Sequence, residues 1–149
     1  YDIANIAGEA ATGSMVVFVD GRPAKAEYRI FNIKTVAGIS DVAMMQEVVS
    51  RRLRHPEWRY PDVMVIDGGK PQLHAAAFAI AKYPNARRIL LAALAKREEE
   101  LYMPGKPTPI RLDALPPEAN RFFKHIRDEA HRFARKQHHR MRRKQFSPV

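Results

Sequence analysis

Apolar positions fall in short runs parted by turn signals, and the spacing within the runs changes along the chain. Val63-Met64-Val65-Ile66 is an unbroken apolar run closed by Asp67. Such a run predicts a strand buried on both faces, in the middle of a sheet with helices on either side. Gly68 and Gly69 then free the backbone to turn sharply, and Pro71 suits the first turn of a following helix. In open α/β sheets ligands gather at the carboxyl ends of strands, and Asp67 stands at that edge.

Upstream, residues 1–6 predict a short strand broken by Gly8, and residues 15–19 a second strand ending at the turn signal Asp20-Gly21-Arg22-Pro23. From Lys25 the chain alternates, with Ala26, Tyr28 and Ile30 on one face and Lys25, Glu27 and Arg29 on the other. The opening therefore reads as an antiparallel meander. Ser40 is placed to cap a helix with Asp41 in its first turn, and Ala43, Met44, Glu47, Val48 and Arg51 keep helical spacing through Arg54. Pro56 and Pro61 bracket a loop before the strand at 63–67.

Downstream, residues 71–83 form an alanine-rich helix and residues 88–93 a further buried strand. Residues 101–103 and 110–112 flank Pro104-Gly105-Lys106-Pro107 as a hairpin at the sheet margin. Residues 116–135 predict an amphipathic helix. Phe122, Phe123, Ile126, Ala130, Phe133 and Ala134 make its stripe, with Lys124, Arg127, His131 and Arg135 to one side. The polar, basic tail from Gln137 is expected to be loosely ordered, and there are no internal repeats. The order predicts an α/β fold: a mixed five-stranded sheet flanked by helices, three antiparallel strands preceding alternating strands and helices. That order matches the ribonuclease H-like arrangement.

Composition narrows the partners. A chain of 149 residues suits one domain, no apolar run approaches a membrane span, and no secretory leader is visible. It opens on Tyr1, which reads as a piece excised from a longer polypeptide. The absence of cysteine excludes disulfides and thiolate metal sites and fits the cytoplasm. The net charge of +10 is concentrated: residues 121–144 hold ten Lys/Arg against Asp128 and Glu129, leaving sixteen basic and fourteen acidic residues elsewhere. One strongly basic segment on a near-neutral body is the footprint of a polyanion, most often nucleic acid. A solvated basic helix with no fixed partner is the plainer reading.

Asp2 in the first strand and Asp67 at the end of the central one converge at one sheet edge if those strands are neighbours. Carboxylate oxygens are the hard ligands that Mg²⁺ and Mn²⁺ prefer, and such ions promote phosphodiester hydrolysis. Taken singly, each aspartate reads as a turn or cap residue. His131 lies beside the apolar stripe and could ligate metal or move a proton; otherwise it is an exposed helical histidine. Gly-Gly-Lys70 lacks the interval of a nucleotide-binding loop, and no Ser/Thr follows it, so nucleotide hydrolysis is rejected. Ser14 and Ser40 have no triad partners, and Glu98-Glu99-Glu100 reads as an exposed acidic run.

These residues together resemble the C-terminal endonuclease domain of UvrC, the incision subunit of bacterial nucleotide excision repair, nearly end to end. The most specific stretches are Val65-Ile66-Asp67-Gly68-Gly69-Lys70-Pro71-Gln72-Leu73 and His125-Ile126-Arg127-Asp128-Glu129-Ala130-His131-Arg132-Phe133-Ala134. Tyr1-Asp2-Ile3, Ser14-Met15-Val16-Val17-Phe18, Tyr28-Arg29-Ile30-Phe31 and Asp41-Val42-Ala43-Met44-Met45 are similar to the family's earlier elements. The resemblance implies a ribonuclease H-like endonuclease domain over residues 1–136, a basic tail over 137–149, and none of the family's other domains. It implies a site of Asp2, Asp67 and His131 holding Mg²⁺ or Mn²⁺, with Asp41 as a further catalytic carboxylate.

The substrate so implied is double-stranded DNA bearing a lesion, cut on the 5′ side in the damaged strand. Engagement of a UvrB–DNA complex would run through the full-length protein, the fragment itself being a monomer in the bacterial cytoplasm, away from membranes. Lys70, Arg127, Arg132, Arg135 and Arg140 are expected to meet DNA phosphates in a largely sequence-independent way. Ala4, Ser40, Arg97-Glu98-Glu99-Glu100 and Arg135-Lys136-Gln137-His138 depart from the family's usual sequence without touching the Asp-Asp-His positions. The rival reading is a catalytically silent DNA-binding or scaffolding module of a repair complex. A third is another nuclease or recombinase of the same fold.

Overall fold

The computed structural model describes residues 2–5, 11–33 and 40–146, with side chains over 12–33 and 40–140. Gly8 and the side chains of Asp2, Arg142, Arg143 and Lys144 lie outside the described residues. The chain opens as strands β1 (Asp2–Asn5) and β2 (Ala11–Met15), followed by the short pair β3 (Phe18–Val19) and β4 (Arg22–Pro23), then β5 (Arg29–Asn32). Helix α1 (Asp41–Leu53), strand β6 (Val63–Asp67), helix α2 (Lys70–Ala81) and strand β7 (Leu90–Ala95) alternate after it. A hairpin of β8 (Glu100–Tyr102) and β9 (Ile110–Arg111) precedes the last helix, α3 (Pro117–Phe146).

β1, β2 and β5 form an antiparallel sheet in the order β1-β2-β5, with Asp2 opposite Ser14. β6 and β7 are parallel, and β8 and β9 extend them antiparallel in the order β6-β7-β8-β9. The single five-stranded sheet expected from the sequence is thus seen as a three-stranded and a four-stranded sheet. The two meet where β1 passes within 8 Å of β6, Cα to Cα. The result is an α/β architecture with mixed pairing, consistent with a ribonuclease H-like domain.

Pleat alternation explains which helices cover which face. Met64 and Ile66 of β6, with Leu91 and Ala93 of β7, pack against Met45, Val49 and Leu53 of α1 and Leu73, Ala76 and Ile80 of α2. Ala92 and Leu94 point the other way, into a second core with Val65, Leu101, Leu112 and Phe123 of α3. Burial is less even than an unbroken apolar run implies. Val63 and its partner Leu90 are about half exposed, because both strands begin at the rim of the sheet.

Other expectations shift for local reasons. The strand expected over 15–19 breaks after Met15, because Phe18–Val19 pairs instead with Arg22–Pro23. Asp20 and Gly21 take φ of 51° and 78° there, the mirror-image turn that Asp-Gly favours in a two-residue hairpin. The alternation from Lys25 does not make a strand until Arg29, since Lys25–Glu27 winds into a 3₁₀ turn closed by Glu27 N to Ala24 O at 3.0 Å. The strand expected at 88–93 starts two residues later, with Leu90 N bonded to Asp62 O at 2.9 Å. The tail is not loose from Gln137: α3 is a single 30-residue helix, because its Lys, Arg, Gln and Met residues favour helix and no Gly or Pro follows Pro117 within it. Among the described residues no helix is long and apolar enough to cross a membrane.

Candidate active site at the end of the parallel strands

Asp67 lies on the same face of β6 as Val65, the face that looks toward α3. Its place is set from both sides in sequence. Asp67 is opposite Leu94, and Gly68 N donates to Leu94 O at 3.0 Å, so the ladder continues past the aspartate. Gly68 then turns with φ of 140°, and a Cβ there would lie 2.6 Å from Gln72 Cγ. The Gln72 side chain is folded back because its Oε1 accepts from Gly69 N at 3.0 Å, the half of a capping box that a glycine N-cap permits. The segment from Asp67 to Gln72 is therefore one device: a carboxylate at the strand end, a turn only glycine makes easily, and a capped helix.

Lys96 follows β7 by one residue and shares the face of Ala92 and Leu94. Its Nζ stands 3.3 Å from Asp67 Oδ2, with 31% of the lysine side chain and 29% of the aspartate side chain exposed. The pair lines a small recess beneath α3 with Ile126, Arg127 and Ala130. On the outer side, Lys96 also borders an open groove with Gly68, Lys70, Arg97 and Tyr102.

α3 is held over this edge by specific contacts with the meander. Tyr28 OH donates to Glu129 Oε1 at 2.9 Å, and Arg132 donates to both Glu129 oxygens at 2.6 and 2.8 Å. The Arg132 bonds hold the Glu129 carboxyl down at about 2 against the burial that opposes them. Burial first, then the Glu129 bond, pushes the Tyr28 phenol up to about 12. Phe133 meets the Tyr28 ring edge-on at 5.0 Å, and Phe18 meets Phe122 and His125 at 6.0 and 5.0 Å. Near the β7–β8 turn, Arg127 bonds Glu99 at 3.4 Å and Asp128 at 3.1 Å.

The residues expected at the site are placed as follows. Asp67 is at the strand end, and the backbone of Asp2 is on β1, beside β6; its side chain lies outside the described residues. His131 is exposed, next in the chain to Ala130 and one helical turn beyond Arg127, both of which line the recess. Asp41 is exposed in the first turn of α1, where Ser40 Oγ accepts from Ala43 N at 3.3 Å. Among the described residues no three His, Asp or Glu side chains gather at metal-holding separations. Lys70, Arg135 and Arg140 are exposed, whereas Arg127 and Arg132 are engaged by carboxylates of α3 and the β7–β8 turn.

Lys96 is the residue that sequence reasoning missed. The available signal is a lysine closing one apolar strand and an aspartate closing another, on the same pleat phase once their register is known. Glu129 was legible only as an acidic residue in a basic helix, since its partner Tyr28 is 101 residues away.

Residues 1–134 match the UvrC RNase H endonuclease domain family. The chain is similar to UvrABC system protein C of Methanothermobacter thermautotrophicus, 45% identical over 95% of this chain and 23% of that protein. The protein of the same name from Dehalococcoides mccartyi is 47% identical over 97% of this chain and 25% of its own length. That of Methanosarcina barkeri is 43% identical over 99% and 28%. The chain thus spans about a quarter of the length of these relatives. A match over nearly all of its residues, on an α/β scaffold of the expected element order, makes this chain a member of the UvrC RNase H endonuclease domain family.

Proposed function

We propose that this chain is a divalent-metal-dependent DNA endonuclease domain of nucleotide excision repair, which cuts the damaged strand on the 5′ side of the lesion. The observation that carries the reading is Asp67: a partly exposed carboxylate at the carboxyl end of a parallel strand pair, already beside a cation and next to an open groove with basic residues on its rim. Its hard oxygen donor suits Mg²⁺ or Mn²⁺. Asp67 and Asp2 would hold the ion, with His131 as a further ligand or proton carrier and Asp41 supporting the site. When bound, the ion supplies Lewis-acid stabilisation of the phosphodiester under attack.

The chain's own groups do the rest. Gly68 and Gln72 keep Asp67 in place, and the Tyr28–Glu129–Arg132 cluster keeps the helix of His131 over the strand end. Lys70, Arg135 and Arg140, with Arg127 and Arg132 at the recess and helix face, neutralise backbone phosphates. The substrate is duplex DNA with a lesion, reached in a UvrB–DNA complex through the full-length protein.

The test is incision mapping on an end-labelled duplex carrying one lesion, with Mg²⁺ or Mn²⁺ supplied. Metal-dependent cuts confined to the damaged strand, 5′ to the lesion, are the expected result. DNA binding without any nicking, in the chain and in its full-length parent, would overturn the reading in favour of a silent DNA-binding module.

A further inference from the structure

The Asp67–Lys96 pair raises a question that the metal reading alone does not answer. A divalent ion coordinates a carboxylate oxygen at about 2 Å, and the Lys96 ammonium already stands 3.3 Å from Asp67 Oδ2. Two cations cannot occupy the same side of one carboxylate without strong repulsion in a partly buried recess. An ion taking the Oδ2 side of Asp67 must therefore move Lys96.

The turn that carries Lys96 is held at both its backbone and its side chains. The backbone of Lys96 begins a tight turn, closed where Ala95 pairs with Glu100. Within that turn Glu99 takes φ of 51°, and its carboxylate is gripped by Arg127 at 3.4 Å and Lys124 at 4.0 Å. α3 thus clamps the turn. Lys96 lies two residues past Leu94, the partner of Asp67, so its Cα is about 7 Å further along the strand direction and its stem leans back to reach the aspartate. Lys96 also borders the open groove beside Gly68, Lys70 and Arg97. Arg127, the other cation of the recess, is tied to Glu99 and Asp128.

Resting on the reading that Asp67 holds a divalent ion, we propose that Lys96 is an internal competitor for that ion. It occupies Asp67 in the metal-free protein and, once displaced, swings into the groove to meet a phosphate of the substrate. Metal and DNA then bind cooperatively, because DNA offers a phosphate to the displaced ammonium, and the coupling is reciprocal. Lys96 is a positioning and affinity-setting residue rather than a ligand.

The experiment is a Mn²⁺ titration of the 149-residue chain without DNA, read by electron paramagnetic resonance of free Mn²⁺, for wild type, Lys96→Met, Lys96→Arg and Asp67→Asn. Lys96→Met should bind Mn²⁺ about tenfold more tightly or better, Lys96→Arg should stay close to wild type, and nicking at saturating Mn²⁺ should fall in Lys96→Met. Tighter metal with slower cutting is a combination that a merely structural lysine does not produce. Lys96→Gln carries the same expectation should the methionine variant not fold. Unchanged or weaker Mn²⁺ binding in the folded charge-removing variant, while Asp67→Asn abolishes binding, overturns this inference alone. Mn²⁺ binding indifferent to Asp67→Asn, or none in wild type, overturns the metal reading of Asp67 and this inference with it.

Discussion

Glu129→Gln tests how the last helix is held above the strand end. The wild-type carboxylate accepts from Tyr28 OH at 2.9 Å and from two Arg132 nitrogens at 2.6 and 2.8 Å, with only 11% of its side chain exposed. Its carboxyl is lowered from the ordinary value to about 2, chiefly by Arg132. A shift of that size corresponds to about 3 kcal/mol if taken in full. Arg132 is half exposed, so solvent screening reduces the contribution to ~1–2 kcal/mol. Because the folded state depresses the value, the stabilisation is complete above the usual carboxylate range and is lost as pH falls toward about 2. Urea denaturation of wild type and Glu129→Gln should therefore differ by ~1–2 kcal/mol near pH 7, and the gap should narrow steadily below about pH 4. Comparing the pair cancels the titration of every other carboxylate. A gap that is absent near neutrality, or that keeps its size down to the acid end, would refute the argument.

Three further outcomes follow from the same geometry. Gly68→Ala forces a side chain into a left-handed backbone and against Gln72; it should cost about 1–3 kcal/mol in thermal or urea melts. Nicking should fall by ~10-fold or more, because Asp67 is displaced. Ser40→Ala removes the cap of α1 and should cost ~1 kcal/mol in the same melts without changing DNA affinity. Exchanging Arg135 and Arg140 for Gln should weaken DNA binding equally across sequences. It should lower the slope of log affinity against log salt by about 2, measured by fluorescence anisotropy.

The parts legible in the sequence are those governed by short-range physics. The apolar run before Asp67 identified the bounds of β6, because an apolar strand and a glycine turn are both written in adjacent residues, although β6 ends the four-stranded order and Val63 is half exposed. Ser40, Asp20-Gly21 and the stripe of α3 were readable for the same reason. Pleat phase was not: that Asp67 and Lys96 share a face depends on the parallel register of Asp67 with Leu94, which no local pattern encodes. The Tyr28–Glu129 bond was hidden likewise, and Tyr28 was read as part of an alternating strand when it follows a 3₁₀ turn. The continuation of α3 to Phe146 was obscured by charge, since a basic tail and a basic helix look alike without their helix-forming propensities being weighed. The side chain of Asp2 lies outside the described residues, and its proposed partnership with Asp67 is supported by the neighbourhood of β1 and β6.

The measurement that bears most directly on the central claim is nicking of supercoiled plasmid by wild type and Asp67→Asn at equal DNA occupancy, with Mn²⁺ present. The substitution keeps the shape of the side chain and removes its charge. The account predicts a loss of at least ~10³-fold in nicking rate, about 4 kcal/mol of transition-state stabilisation, with DNA affinity nearly unchanged. Wild-type nicking rates in Asp67→Asn, with contaminating nuclease excluded, would contradict it.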